Sequence, residues 1–213
     1  MNVKFITLCA AALLTFPTFA QEMAMPQVAD TVQEFLDANG HDMNQLVPSC
    51  QTFDACSHMN YHSKTYTFKG NAQTAFEKLI AMGPLEIWKS SSRFEMEYDP
   101  ESKSFLGKNH ELPPLKRGQV FFLELDIVKK MQIPVAFQVV ELDSSIRTVT
   151  FSYLKQNKSN GSQRITFHQV GENMNIVHET HYKSDSRFRD KHLYGFFHTR
   201  LLDDVWEDFG RNL

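Results

Sequence analysis

The clearest pattern along the 213-residue chain is strict alternation. In Thr148-Val149-Thr150-Phe151-Ser152-Tyr153 every second residue is apolar, which places Val149, Phe151 and Tyr153 on one face of a strand. Arg164–His168 repeats the pattern with Ile165 and Phe167, and Asn175–Lys183 puts Ile176, His178, Thr180 and Tyr182 together. A slip of one residue would invert each face. Strands are predicted over Tyr61–Lys69, Phe94–Tyr98, Gln119–Val128, Val135–Leu142, Arg147–Lys155, Ser162–Val170 and Asn175–Lys183. Turn-forming residues separate them: Asp99-Pro100, Pro113-Pro114, Asp143-Ser144-Ser145, Asn157 through Gly161, and Gly171-Glu172-Asn173. The linkers between the last four strands are too short for parallel crossovers, so these strands form an antiparallel meander.

Helical spacing appears in three places. Over Pro26–Gly40, Val28, Val32, Phe35 and Leu36 share a face, with Pro26 read as a first-turn residue and Asn39-Gly40 as the stop. Asn71 is placed to cap a helix running to Met82, which Gly83-Pro84 ends; Leu85–Lys89 reads as a second short helix or a bend. The last helix spans Asp190–Arg211, where Leu193, Phe197, Leu201, Val205 and Phe209 recur every four residues and Tyr194, Leu202 and Trp206 widen the stripe.

The order is strand, helix or two, a run of antiparallel strands, and one long terminal helix. A curved sheet wrapped around that helix satisfies it. On this order, on the Asn71–Met82 helix after the first strand and on the aromatic final helix, the chain from Tyr61 to Leu213 resembles the helix-grip (SRPBCC) superfamily. That superfamily contains START lipid-transfer domains, birch-pollen-allergen-type proteins and polyketide cyclases. The resemblance implies an α+β fold with a cavity between sheet and helix that takes lipids, sterols, polyketides or other apolar molecules; it implies no reaction. A strongly curved sheet cannot touch one straight helix along its whole length. The gap is lined by inward strand residues and the helix stripe, and expected lining residues are Trp88, Phe137, Phe151, Tyr153, Phe167, His178, Tyr182, Phe197 and Leu201. Bulky side chains either line this gap or fill it, and the sequence leaves both readings standing.

The N-terminus adds a compartment. Lys4 precedes an apolar and small stretch from Phe5 to Phe16, Pro17 breaks it, and Thr18-Phe19-Ala20 presents small residues at the positions a signal peptidase reads. The apolar run is about a dozen residues, against about 20 for a spanning helix. Residues 1–20 are therefore expected to be a signal peptide, cleaved after Ala20, with a periplasmic or secreted product and no stable membrane anchor. Residues 21–60 read as an N-terminal extension and 61–213 as the ligand-binding domain. Cleavage removes Cys9 and leaves Cys50 and Cys56, an even pair in an exported chain, read as a disulfide. The alternative is a metal site with His58 and His62, whose spacing matches no common zinc pattern.

The net charge of −3 carries no dense basic stripe, so nucleic acid is not an expected partner. No phosphate-binding loop, dinucleotide fingerprint or nucleophile elbow is present, and no cofactor is expected. In His178-Glu179-Thr180-His181 the two imidazoles point to opposite faces of a strand and cannot share an ion. His178, with Tyr153 and Tyr182, either contacts ligand as an orienting or acid–base group or is a buried histidine bonded to a neighbour. Arg187 and Arg189 are candidates for the cavity mouth, and Tyr194 and His198 share a face of the last helix. Three functions fit: an exported binding protein for a lipid-like or aromatic molecule, a cyclase- or hydrolase-type enzyme using the same cavity, and an interaction module with a filled core.

Overall fold

The computed structural model describes residues 25–40, 43–128 and 131–213. The segment expected to be a signal peptide, with Cys9, lies outside the described residues. Eight strands form one antiparallel sheet: β1 (Asn60–Lys69), β2 (Ser92–Asp99), β3 (Ser104–Gly107), β4 (Val120–Val128), β5 (Met131–Asp143), β6 (Thr148–Tyr153), β7 (Ser159–Val170) and β8 (Asn173–Ser184). Their order across the sheet is β1-β8-β7-β6-β5-β4-β2-β3. From β5 to β8 this is the expected meander, β4 extends it by one strand, and β1 returns to pair with β8. Register shifts between Phe94 and Met96, Asp126 and Val128, and Val139 and Glu141 bend the strands, as bulges do.

Helices cover both faces. The concave face packs against α2 (Ala72–Ala81), α3 (Pro84–Ile87) and α4 (Tyr194–Arg211). The convex face packs against α1 (Asp30–Asn39). Strand β4 shows why: Phe121 and Leu123 point into the concave core and Val120 and Phe122 into the convex one, so the run Val120–Leu123 is apolar on both sides. Asn71 caps α2 as expected, its side chain accepting from Thr74 N at 3.0 Å. The start of α1 is tied to two sheet carboxylates. Glu95 accepts from Ala29 N (3.0 Å) and Glu124 from Thr31 Oγ1 (2.6 Å), a placement the helix dipole favours.

Several expectations are corrected. Helix α1 begins at Asp30, not Pro26; Pro26 instead lies over Gly107, where an added Cβ would stand 2.5 Å from its ring. The four-residue strand β3 is too short for its pattern to stand out. The last helix is entered through a π-helical turn, Arg189–Leu193, and its four-residue repeat is not its buried stripe. At 3.6 residues per turn a four-residue step drifts by about 40°. Counted back from buried Phe209, the repeat has therefore left the core face by Phe197, which is half-buried, and Leu193, which is exposed. The face that packs runs through His198, Leu201, Leu202, Trp206 and Phe209.

Gly161, read as a turn residue, lies inside β7 opposite Tyr182. Ser49 Oγ donates to its carbonyl and accepts from its N–H, both at 2.9 Å, which docks the Cys50–Cys56 loop onto the convex face. Those cysteines form a disulfide with a Cα–Cα separation of 5.9 Å, which removes them as metal ligands. At φ 138° an added Cβ at position 161 would stand 1.9 Å from His181 O. Gly161→Ala is therefore expected to cost at least about 2 kcal/mol. Urea denaturation checks this; an unchanged midpoint would show that β7 can shift away from β8 there.

Candidate functional site

Between the sheet and α4 lies a cavity with about 70 Å³ open to the centre of a water molecule. Its walls are apolar, mostly aliphatic with several aromatic rings among them. Phe137, Phe151, Tyr153 and Ile165 come from the sheet, and Leu201, Leu202 and Trp206 from α4. Half-buried Trp88, Leu125 and Val205 form its outer edge. Trp88 reaches across the concave face, its ring 5.1 Å from that of Phe121 and 5.9 Å from that of Phe151. Among the described residues no Lys, Arg, Asp or Glu lines the space.

The floor is polar, and nearly all of it is paired. Trp206 Nε1–H donates to His178 Nδ1 at 3.2 Å. Indole is only a donor, so Nδ1 is the bare nitrogen and Nε2 carries the proton, which goes to Gln163 Oε1 at 2.8 Å. Gln163 Nε2 donates to Tyr153 Oη (2.7 Å), which lies 2.8 Å from Tyr194 Oη. His178 thus has both nitrogens engaged. Burial, helped by the nearby His62, pushes its pKa down to about 3. Burial likewise raises Tyr153 to about 12, against the lowering effect of its hydrogen bonds to Tyr194 and Gln163. His198 is different. Its Nδ1 stands 3.4 Å from His62 Nδ1, and its Nε2 is buried with no partner. Burial, then His178 and His62, hold its pKa well below the ordinary value.

Six of the nine residues expected to line a cavity surround this one: Trp88, Phe137, Phe151, Tyr153, His178 and Leu201. The other three do not. Phe167 fills the core beside α2, its ring 5.7 Å from Phe76 and 6.1 Å from Phe209. Tyr182 stacks on Tyr194 at 3.6 Å, which seals the end of the helix rather than the cavity. Phe197 falls off the packed face and meets Phe196. Arg189 pairs with Asp185 (2.6 Å) and Lys158 O (2.9 Å), away from the lining, and Arg187 is exposed. His181 points to the convex face, 4.5 Å from the ring of Phe53, as alternation requires. Gln163 was overlooked, although alternation with Ile165 and Phe167 places it on the inner face; a polar residue there is the signal.

A second overlooked group is Glu97 on β2. It is 0 % exposed, and neither carboxylate oxygen has a partner. Burial, reinforced by Asp99 and opposed by Lys116, raises its pKa to about 7. These groups tilt stability in opposite directions. Below pH 6.5 the unfolded chain protonates His178 and the folded chain resists, so stability falls as pH drops from 6.5 toward 3. The folded chain holds the Glu97 proton more tightly than the unfolded one, so stability falls as pH rises from 4.5 to 7. In urea titrations across pH, Glu97→Gln should remove the second decline and His178→Gln should soften the first. A Glu97→Gln profile parallel to that of the native chain from pH 4.5 to 7 would show that this carboxyl is hydrated.

No protein-family model matches the sequence, and no curated protein does. Solved structures do. Ginseng major latex-like protein 151 from Panax ginseng superposes with a TM-score of 0.53 at 14% identity, covering 72% of this chain and 97% of that one. The KanY protein gives 0.54 at 13%, covering 72% and 97%. Norcoclaurine synthase from Thalictrum flavum, solved with dopamine and hydroxybenzaldehyde, gives 0.54 at 8%, covering 72% and 86%. At these identities the likeness is one of fold. Together with the curved eight-stranded sheet and its C-terminal helix, it shows that this chain has the helix-grip α+β fold.

Proposed function

We propose that the protein binds a small apolar molecule in the cavity between the sheet and α4. The observation that carries this reading is an apolar space, walled by aliphatic and aromatic side chains with no Lys, Arg, Asp or Glu among its described lining, over a floor in which His178, Gln163 and Tyr153 are bonded to one another or to their neighbours. Its volume limits the occupant. An engineered dry cavity of about 150 Å³ takes benzene, roughly twice the 70 Å³ here. A single ring enters as the edge at Trp88 and Val205 yields; a sterol or a long acyl chain would need the helix to move. The fold neighbours support the reading only by analogy, since one of them was solved with two small aromatic compounds. An acid–base role for His178 has less support, because neither of its nitrogens is free.

Both tryptophans of the chain border the cavity, so their indole N–H signals report on it. In NMR titrations with toluene, the Trp88 and Trp206 signals should shift saturably, and Leu201→Trp, which plugs the space, should abolish the response. Signals that stay still up to the solubility of toluene would overturn the proposal.

We further propose that residues 21–60 form an extension over the outer face of a binding domain comprising 61–213, and that the chain acts outside the cytoplasm. The apolar stretch in residues 1–20 and the Cys50–Cys56 disulfide support the second point. No described helix is long and apolar enough to cross a membrane. Intact-mass analysis of the exported protein should find Gln21 as its first residue and two hydrogens fewer than the reduced chain. A chain retaining residues 1–20 would contradict cleavage.

A further inference from the structure

The polar floor of the cavity has one vacancy. Among the buried side-chain polar atoms of the residues lining it, His198 Nε2 is the one without a partner, and His198 is only 7 % exposed. The ring is fixed from three sides. Tyr194 stacks on it at 5.1 Å, His178 meets it edge-on at 5.9 Å, and His62 faces its Nδ1. Leaving a buried ring nitrogen unbonded is costly, and a ligand that bonds it recovers that cost.

We infer that the cavity selects a neutral aromatic molecule carrying one hydroxyl, a phenol-type ligand, and that His198 Nε2 reads the hydroxyl. This rests on the cavity being the binding site. The hydroxyl follows from the tautomers. His62 Nε2 lies 3.1 Å from Thr199 Oγ1. If His62 donates there, its Nδ1 accepts from His198 Nδ1–H, and His198 Nε2 is a bare acceptor. If Thr199 donates, His62 Nδ1–H points at His198, and Nε2 carries the proton. A hydroxyl pairs with either form, whereas a carbonyl or an ammonium group pairs with one. Neutrality follows from the walls, which offer no charge to a carboxylate or an amine. A low polar count follows from the rest of the lining, because both His178 nitrogens, the Gln163 amide and Tyr153 are already engaged, and Ser92 adds only one further hydroxyl. The ring follows from Trp88, Phe137, Phe151 and Trp206, which give the otherwise mostly aliphatic lining its flat faces.

Phenol and toluene have the same number of heavy atoms and differ in the group presented to His198. Their dissociation constants are measured by NMR titration on the full mature chain, on His198→Phe and on His198→Gln. The ratio of toluene to phenol dissociation constants should fall about tenfold in His198→Phe, the equivalent of one hydrogen bond, and recover in part in His198→Gln, whose amide restores a polar atom. In the native chain the His198 Nε2 ¹⁵N signal should move with phenol and much less with toluene. Toluene affinity in each variant reports whether the cavity survives the substitution. If both ligands bind and the ratio is the same in all three proteins, water suffices at Nε2 and the assignment of the hydroxyl is overturned while cavity binding stands. If neither ligand binds any form, cavity binding fails and this assignment fails with it.

Discussion

Helix α4 is held across the sheet by hydrogen bonds that start and finish on the helix itself. From Trp206 they pass to His178 on β8, Gln163 on β7 and Tyr153 on β6, and return at Tyr194, the first residue of α4. Three neighbouring strands and both halves of the helix are thereby locked in one relative placement. Each member is buried or nearly so, and breaking one link leaves an unpaired polar group in an apolar surrounding. The cavity is a by-product of this constraint. The helix cannot settle closer to the sheet without compressing the bonded side chains, so a space remains where no side chain reaches.

The convex face solves a different problem with charges. Glu95 and Glu124 are buried on β2 and β4, yet both are satisfied, Glu95 by Lys108 at 2.6 Å and Glu124 by Arg93, with the start of α1 completing each. Burying a carboxylate without such partners is unfavourable. Glu97, close by on the same strand, has none and holds its proton to a higher pH instead. Two buried acids on one strand thus differ in their surroundings, Glu95 bonded to Lys108 and Ala29 N and Glu97 to no side chain or backbone group.

The fold was legible in the sequence because its strongest signals are local and periodic. Alternation in Thr148–Tyr153 and Asn175–Lys183 assigned the inner faces correctly, including His178 inward and His181 outward. Where the reading failed, a tertiary contact had replaced the local rule. The repeat through Phe197 matched a stripe that a real helix turns away from its partner. Gly161 resembled a turn residue because glycine marks both turns and close backbone approach, and here the β8 backbone at His181 makes the approach. The site was harder to see than the fold. Gln163 and Glu97 are polar, and a polar residue in a pattern reads as solvent-facing until its partners are known; His198 could be placed with Tyr194 on one helix face, but not its unpartnered nitrogen.

The pairing of β1 with β8 has a consequence for how the protein comes into being. Asn60 sits opposite Tyr182, so the strand made first has its only sheet neighbour near the end of the chain. Sheets closed by contacts this distant in sequence form slowly, since a long loop must be ordered before the pairing repays it. The β1 edge therefore waits unpaired until β8 has been synthesised, while the strands between them can already pair with their neighbours in sequence.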